Sequence, residues 1–405
     1  MPPLGKNDAY KVILIEGRDL PSALKLPLAD LSLATMVDDQ LTAIPYQIDQ
    51  YNQGGAPYFD GWEVPRAGSP GVLNATDKLM FIYKDAGPRY VQGMPTDGRI
   101  LAQIRLQGDD SVSRYVYLMQ GARVRSDEQY VRYSPELGLV ETDFYTLHYR
   151  NANHLIWDDV QFLHYVGDRP LDTMKLAVSG DVITRPFHLT LGNDNMVARP
   201  VGAIIGPIRT VTQADLSVHF MGVDLVRLSL QIFHYPKSVI YDVRGAMPAL
   251  LRRFARNPKV SMAVDANAMQ GAEVRTATGP QQPAIVDGRM GERERTMTGT
   301  PLSPSRDWVW LHSKRNLDIL AFLDYVGTFN EPFSPVVEDD LRQQDNGDQF
   351  PGHLPGLGFR IDNLPQSGSL GIVASIYSSE QFEGRPEQVA KQIRSQPAIE
   401  VMPFR

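Results

Sequence analysis

Three of the chain's eight histidines, His148, His154 and His164, fall in one short window with Tyr149, Arg150, Asn153, Trp157, Asp158 and Asp159. On an extended strand alternate side chains share a face, so His148 and Arg150 lie together, as do Asp158 and His164. Tyr, His and Arg in such proximity suit proton abstraction beside a carboxylate, with Tyr or His moving the proton and Arg neutralising the acid of the substrate. In that scheme Tyr149 and His154 transfer the proton, Arg150 holds the substrate acid and His164 orients its partner. His148 and Trp157 line the bound ligand. The same residue types also fill the polar side of strands in any β-rich chain. His148, His154, His164 and Asp158 suit a metal ion by ligand type, but their spacing matches no established motif, and no metal is expected there.

Further constellations carry weaker chemistry. Trp308-Val309-Trp310-Leu311-His312 puts Trp308, Trp310 and His312 on one strand face. Exposed, that row stacks on sugar rings; buried, it is core. Glu338-Asp339-Asp340 and Asp345-Asn346-Gly347-Asp348 place hard oxygen donors around a Gly turn, which suits calcium, although the twelve-residue calcium-loop spacing is not met. A solvated acidic loop is the competing reading. His234 sits on an apolar face and reads as a core histidine, whereas His188 and His219 fall on more polar faces. Asp49 and Asp85 read as acids that cap turns. The chain has no Gly-x-Ser-x-Gly, no phosphate-binding loop and no dinucleotide fingerprint.

The elements that must position these residues are mostly strands. The chain has 405 residues, 33 of them Gly and 30 Pro, many bracketing short apolar runs. Strands are expected over 10–16, 78–84, 99–106, 114–119, 155–165 and 172–178. The clearest alternation runs from 215 to 235, where Leu228, Leu230, Ile232 and His234 share one face and Gly222-Val223-Asp224 marks a hairpin turn. Two short amphipathic helices are expected, Met247–Arg256 and Pro386–Ser395. The polar stretches 276–306 and 334–358 read as long loops. The fold class that follows is mainly β: a large antiparallel β-sandwich or supersandwich with one or two short helices. It divides into 1–210 and 211–405, or runs as one continuous domain.

Two blocks near the start carry a resemblance. Pro45-Tyr46-Gln47-Ile48-Asp49 is followed by Asp77-Lys78-Leu79-Met80-Phe81-Ile82-Tyr83-Lys84-Asp85-Ala86-Gly87, and Gly206-Pro207-Ile208-Arg209 precedes the long alternating strands. This order resembles a group of secreted bacterial β-sandwich proteins and is distantly similar to the galactose-mutarotase-like supersandwich proteins, some associated with pectin breakdown. The resemblance implies a large antiparallel sandwich and carries over no catalytic residue.

A formal net charge of −7 leaves no basic footprint for nucleic acid. No apolar run reaches the roughly 18 residues that span a membrane. The absence of cysteine excludes disulfides and thiolate chemistry and suits an oxidising compartment. Met1–Asp8 lacks the apolar core of a signal peptide and reads as a mature N-terminus behind an added Met. These features lead to the expectation of a periplasmic or extracellular protein that binds or processes a carbohydrate, possible substrates including acidic polysaccharides. The alternative is a non-catalytic subunit of an envelope or extracellular assembly, with an envelope protein as partner.

Overall fold

The two opening blocks are neighbouring strands. In the computed structural model Gln47–Asp49 pairs antiparallel with Lys78–Ile82, placing Gln47 opposite Met80 and Asp49 opposite Lys78. The structure describes Met1 to Phe404 except 62–63, 92, 151, 183–187, 247–254, 328–330, 346–347, 363 and 365–368. The helix expected at Met247–Arg256 lies outside the described residues over 247–254, and its last two positions open the strand Ala255–Ala266.

The chain forms two compact units, and neither is a continuous half. The first comprises Met1–Val131, Ile205–Arg209 and Phe382–Arg405; the second comprises Arg132–Ile204 and Thr210–Gln381. The expected halves 1–210 and 211–405 therefore each contribute to both units.

In the first unit, Lys78–Ile82 lies between Val12–Glu16 and Gln47–Asp49 in a three-stranded sheet. A five-stranded sheet runs Ala398–Pro403, Arg99–Gln107, Ser113–Gln120, Leu31–Val37, Gln40–Ala43. Alternation makes the core. Ile13, Ile15 and Phe81 from the first sheet join Leu33, Ile104, Leu106, Val116 and Leu118 from the second in one buried cluster. The helix Pro386–Arg394 matches its expected position, starts on a proline and buries Val389.

The motif blocks explain the five-residue return of the chain at Ile205–Arg209. Gln47 and Asp49 share a face because they are two residues apart. Gln47 Oε1 accepts the N–H groups of Ile208 and Arg209 at 3.3 and 3.0 Å, and its Nε2 donates to Asp49 Oδ1 at 2.8 Å. Arg209 donates to Asp49 Oδ2 from Nε at 2.8 Å and from its terminal nitrogen at 2.7 Å, and also to Tyr51 Oη at 3.1 Å. Both charged residues are buried. Gly206 has no room for a side chain: a Cβ there would stand 2.2 Å from the Gln47 carboxamide.

Asp49 is thus an ion-pair partner, not the expected turn cap. The cap in this region is Asp77, whose carboxylate accepts the N–H groups of Asn74 and Tyr51. Asp85 does not cap a turn either. It accepts the Tyr130 hydroxyl at 2.7 Å, and burial pushes its carboxyl up to about 7.

The second unit is β-sandwich-like, with every recorded strand pairing antiparallel. A four-stranded sheet runs Asn153–Phe162, Tyr145–Arg150, Leu139–Thr142, Val131–Ser134. A five-stranded sheet runs His188–Leu191, Leu171–Val182, Ala255–Ala266, His353–Ile361, Ser334–Asp340. A nine-stranded sheet begins at the edge strand Met196–Ile205, continues through Thr210–Phe220, Val223–Tyr235 and Ser238–Ala246, and ends at Ala284–Ile285. Among the described residues none of the sheets closes into a barrel. Leu176, Val178 and Met262 of the five-stranded sheet and Leu216, Leu228 and Leu230 of the nine-stranded sheet line one apolar cavity of about 190 Å³.

The hairpin expected near Gly222 turns one residue earlier. Phe220 pairs with Val223, and the two loop residues Met221 and Gly222 have φ of 50° and 81°. Two positive φ values twist the turn with the strands, and glycine at the second position adopts them without strain. The polar stretches are not continuous loops. Residues 276–306 contain the helix Glu292–Gly299, which buries Met297. Residues 334–358 contain the strand Ser334–Asp340 and the start of His353–Ile361. Their acids misled the polarity reading because several serve as partners within the fold: Asp339, for instance, accepts the N–H groups of Asp287 and Gly288.

Removing one partner of a buried, hydrogen-bonded ion pair strands the other charge, at a cost of about 3–5 kcal/mol. Asp49→Ala or Arg209→Leu should each lower stability in urea by that amount. The double replacement Asp49→Leu/Arg209→Leu should cost clearly less than the sum. Additive losses would mean that the pair does not act as a unit.

Candidate functional site

The expected proton-transfer cluster separates onto two faces. Tyr145–Arg150 and Asn153–Phe162 form an antiparallel hairpin with Leu147 opposite Val160 and His148 opposite Asp159. Period two sends Tyr145, Leu147 and Tyr149 inward and leaves His148 half-buried and Arg150 exposed. Tyr149 stacks on His154, with ring centroids 4.8 Å apart. Tyr149 Oη lies 3.1 Å from His234 Nε2 and 3.0 Å from Tyr241 Oη. Trp157 Nε1 donates to Tyr241 Oη at 3.0 Å, and Tyr145 Oη lies 3.2 Å from His234 Nδ1.

These rings form one buried network. Burial pushes the tyrosines Tyr145, Tyr149 and Tyr241 up, and it pushes His154 down to about 4 and His234 to about 3. Every member is therefore neutral at pH 7. The network satisfies the hydroxyls, the indole and His234 inside the fold, while buried His154 Nδ1 has no hydrogen-bond partner; the structure brings Tyr149, His154 and Trp157 together there.

The remaining expected site residues stand elsewhere. Arg150 is exposed and pairs with Asp158 at 2.9 Å. His164 is exposed and lies 3.4 Å from Glu380. Trp308 and Trp310 are each only 6% exposed, which leaves no open stacking platform. His312 Nδ1 lies 2.6 Å from Asp318. His188 and His219 pair with Asp181 and Asp224.

A different set of side chains converges in the second unit. The acidic stretch 338–348 supplies Glu338, Asp345 and Asp348, and the five-stranded sheet adds Lys175, Asp265 and His353. The register explains the meeting. Asp265 and Glu338 are both opposite Gly356 on the strand between them, so both flank a position without a side chain. The loop carrying Asp345 and Asp348 is anchored from Leu171–Val182: the Asp172 carboxylate accepts the N–H groups of Gln349 and Phe350.

Lys175 Nζ bonds the Asp348 carboxylate and lies 3.2 Å from Asp265 and 3.3 Å from Asp345. His353 Nε2 lies 3.5 Å from Asp265 and 3.4 Å from Asp345. His353 Nδ1 lies 2.7 Å from Glu338. Asp265 is 1% exposed, and neither carboxylate oxygen is in hydrogen-bonding geometry, although Oδ2 is within ion-pair distance of Lys175. Burial pushes its carboxyl up to about 7, against the pull of His353 and Lys175. Burial opposes the charge on Lys175, but Asp348, Asp265 and Asp345 together hold its pKa above the usual value.

Lys175, Asp265, Glu338, Asp345 and His353 line a polar cleft of about 460 Å³ whose walls also carry Asp194, Asn195, Gln343 and Arg360, and the Asp348 carboxylate is buried behind Lys175. The volume falls within the usual range for small-molecule sites. Asp265, Asp348 and His353 place potential ligand atoms within 4.8 Å of one another.

The acidic stretch contributes two residues of the cleft lining, Glu338 and Asp345, and a third member of the charge cluster, Asp348. Asp339 and Asp340 of the same stretch hold backbone instead, with Asp340 accepting the Arg342 N–H, while Asn346 and Gly347 lie outside the described residues. Sequence reading missed Lys175, Asp265 and His353. Asp265 carried a usable signal, as a lone acid in the otherwise uncharged run Val260–Ala266. Lys175 and His353 carried none without the register. In comparisons with known proteins, no family model matches this chain and no curated protein matches it significantly.

The buried histidines set a pH dependence. An unfolded histidine titrates near 6.5, whereas folded His154 and His234 stay neutral to about 4 and 3. Below pH 6.5 the unfolded chain therefore takes up protons that the folded chain does not. Stability falls as pH falls, by up to about 1.4 kcal/mol per pH unit for each histidine. His154→Leu should make the fall in urea-measured stability between pH 6.5 and 4 shallower by about one proton. An unchanged slope would mean that His154 is not held neutral.

Proposed function

We propose that the chain binds or processes a carbohydrate in the acidic cleft of its second unit, and that it works in the periplasm or outside the cell. The observation that carries this reading is the chemistry of the cleft walls. Asp194, Asn195, Glu338, Gln343 and Asp345 supply planar carboxylates and amides, the groups that pair with adjacent hydroxyls. An excess of acids over cations disfavours uronic acids, so neutral or amino sugars fit better than an acidic polysaccharide. The cysteine-free composition supports the compartment.

The second reading, a non-catalytic subunit of an envelope or extracellular assembly, draws on the edge of the nine-stranded sheet. Among the described residues Met196–Ile205 pairs on one side only, and it exposes Val201, while the hairpin tip exposes Met221 and Val223. An open apolar edge is where a partner strand adds.

Affinity electrophoresis through neutral, amino and acidic polysaccharides separates the two, with new reducing ends as the readout of processing. The carbohydrate reading expects retardation by a neutral or amino glycan. It expects Asp194→Ala and Gln343→Ala to weaken that retardation about tenfold together, and Arg150→Ala to leave it unchanged. Retardation by no glycan, or loss only with Arg150→Ala, would overturn the cleft as the sugar site.

A further inference from the structure

We infer that the floor of the cleft is a binding site for a divalent transition cation of the manganese or zinc type, ligated by Asp265, Asp348 and His353 Nε2, with the Lys175 ammonium as its placeholder. The site holds whether or not the cleft takes a sugar, because cation binding is read with no carbohydrate present.

The histidine is the first argument. Its Nδ1 faces Glu338 Oε2 at 2.7 Å, which places a hydrogen on Nδ1. In the neutral ring that leaves the Nε2 lone pair directed at Asp265, Asp345 and Asp348, at 3.5, 3.4 and 3.7 Å. A carboxylate that fixes the far nitrogen of an imidazole is the usual outer partner of a metal-bound histidine.

The buried aspartate is the second argument. Asp265 lies at the cleft wall, 1% exposed, and its Oδ1 has no hydrogen-bond partner. A buried carboxylate oxygen without a donor is costly, and a cation relieves that cost directly.

Charge is the third argument. Asp265, Asp345 and Asp348 meet at the single ammonium of Lys175, with Glu338 directed at the histidine. The Asp345 and Asp348 carboxylates share one ammonium, with Asp265 adding a third charge when it ionises, an excess that a divalent ion matches. Lys175 Nζ already stands among the donors, 3.3 Å from His353 Nε2, so an entering ion displaces it.

The donor set also selects the ion. The acids alone suggested calcium in the sequence. The fold adds an imidazole, which suits first-row transition ions, whereas calcium takes oxygen donors.

Calorimetric titration of the purified full chain with manganese, zinc and calcium chlorides tests the site. Manganese or zinc should bind at one ion per chain and more tightly than calcium. Asp265→Asn and His353→Gln, both close to the native volume, should each weaken binding about tenfold or more. Glu338→Gln should weaken it through the histidine, and Lys175→Met should tighten it by removing the competing charge. Circular dichroism confirms that each variant is folded, and Lys175→Met provides a gain that misfolding cannot mimic. No saturable binding at millimolar ion, a preference for calcium, or binding indifferent to Asp265→Asn and His353→Gln would overturn the site. Unchanged affinity in Lys175→Met would overturn the placeholder role.

Discussion

The buried ion pair between Asp49 and Arg209 is the constraint on which the chain path depends. The chain leaves its first unit after Val131, returns for the five residues Ile205–Arg209, leaves again, and comes back at Phe382. So short a return buries little apolar surface of its own. It is held instead by polar geometry: Gln47 accepts its backbone, Asp49 receives its guanidinium, and Gly206 lets the two approach. A buried pair of this kind contributes less through net attraction than through the cost of every arrangement that separates it. That asymmetry suits a contact whose task is to specify a path.

The same physical rule divides the two polar clusters of the second unit. Around Tyr149 and His234, hydroxyls, an indole and imidazole nitrogens meet one another at hydrogen-bonding distance, and burial holds all of them neutral. That network pairs its hydroxyls, its indole and both nitrogens of His234, and it leaves His154 Nδ1 without a hydrogen-bond partner; its members are neutral, so it calls for no counter-charge. In the cleft, carboxylates outnumber the cations that face them, and Asp265 keeps an oxygen without a donor. An incomplete cluster at the wall of a polar cavity is the one with a reason to take up a ligand.

Much of the fold was legible because alternation is local. The strand face Leu228, Leu230, Ile232, His234, the core placement of His234 and the helix from Pro386 all follow from spacing within a few residues. The mainly β class followed from the same patterns together with Gly and Pro punctuation. Interactions that depend on register between distant strands were not legible. Asp49 looks like a turn acid until Arg209, 160 residues away, is placed beside it. The window around Tyr149 looked like a site because its residues are close in sequence, yet alternation sends Tyr149 and Arg150 to opposite faces. Conversely, Lys175, Asp265 and His353 are far apart in sequence and meet only through the pairing of three strands. The acidic stretch was visible, but its polarity suggested solvent, whereas Asp339 and Asp348 turn inward and Glu338 and Asp345 stand partly exposed at the cleft.

The central claim is that the cleft floor is an incomplete coordination site. Diffraction from crystals grown with manganese, collected for its anomalous signal, tests that claim most directly. The account predicts one peak within bonding distance of Asp265, Asp348 and His353 Nε2, with the Lys175 ammonium moved off its present position. Absence of a peak there, with Lys175 still seated among the carboxylates, would contradict it.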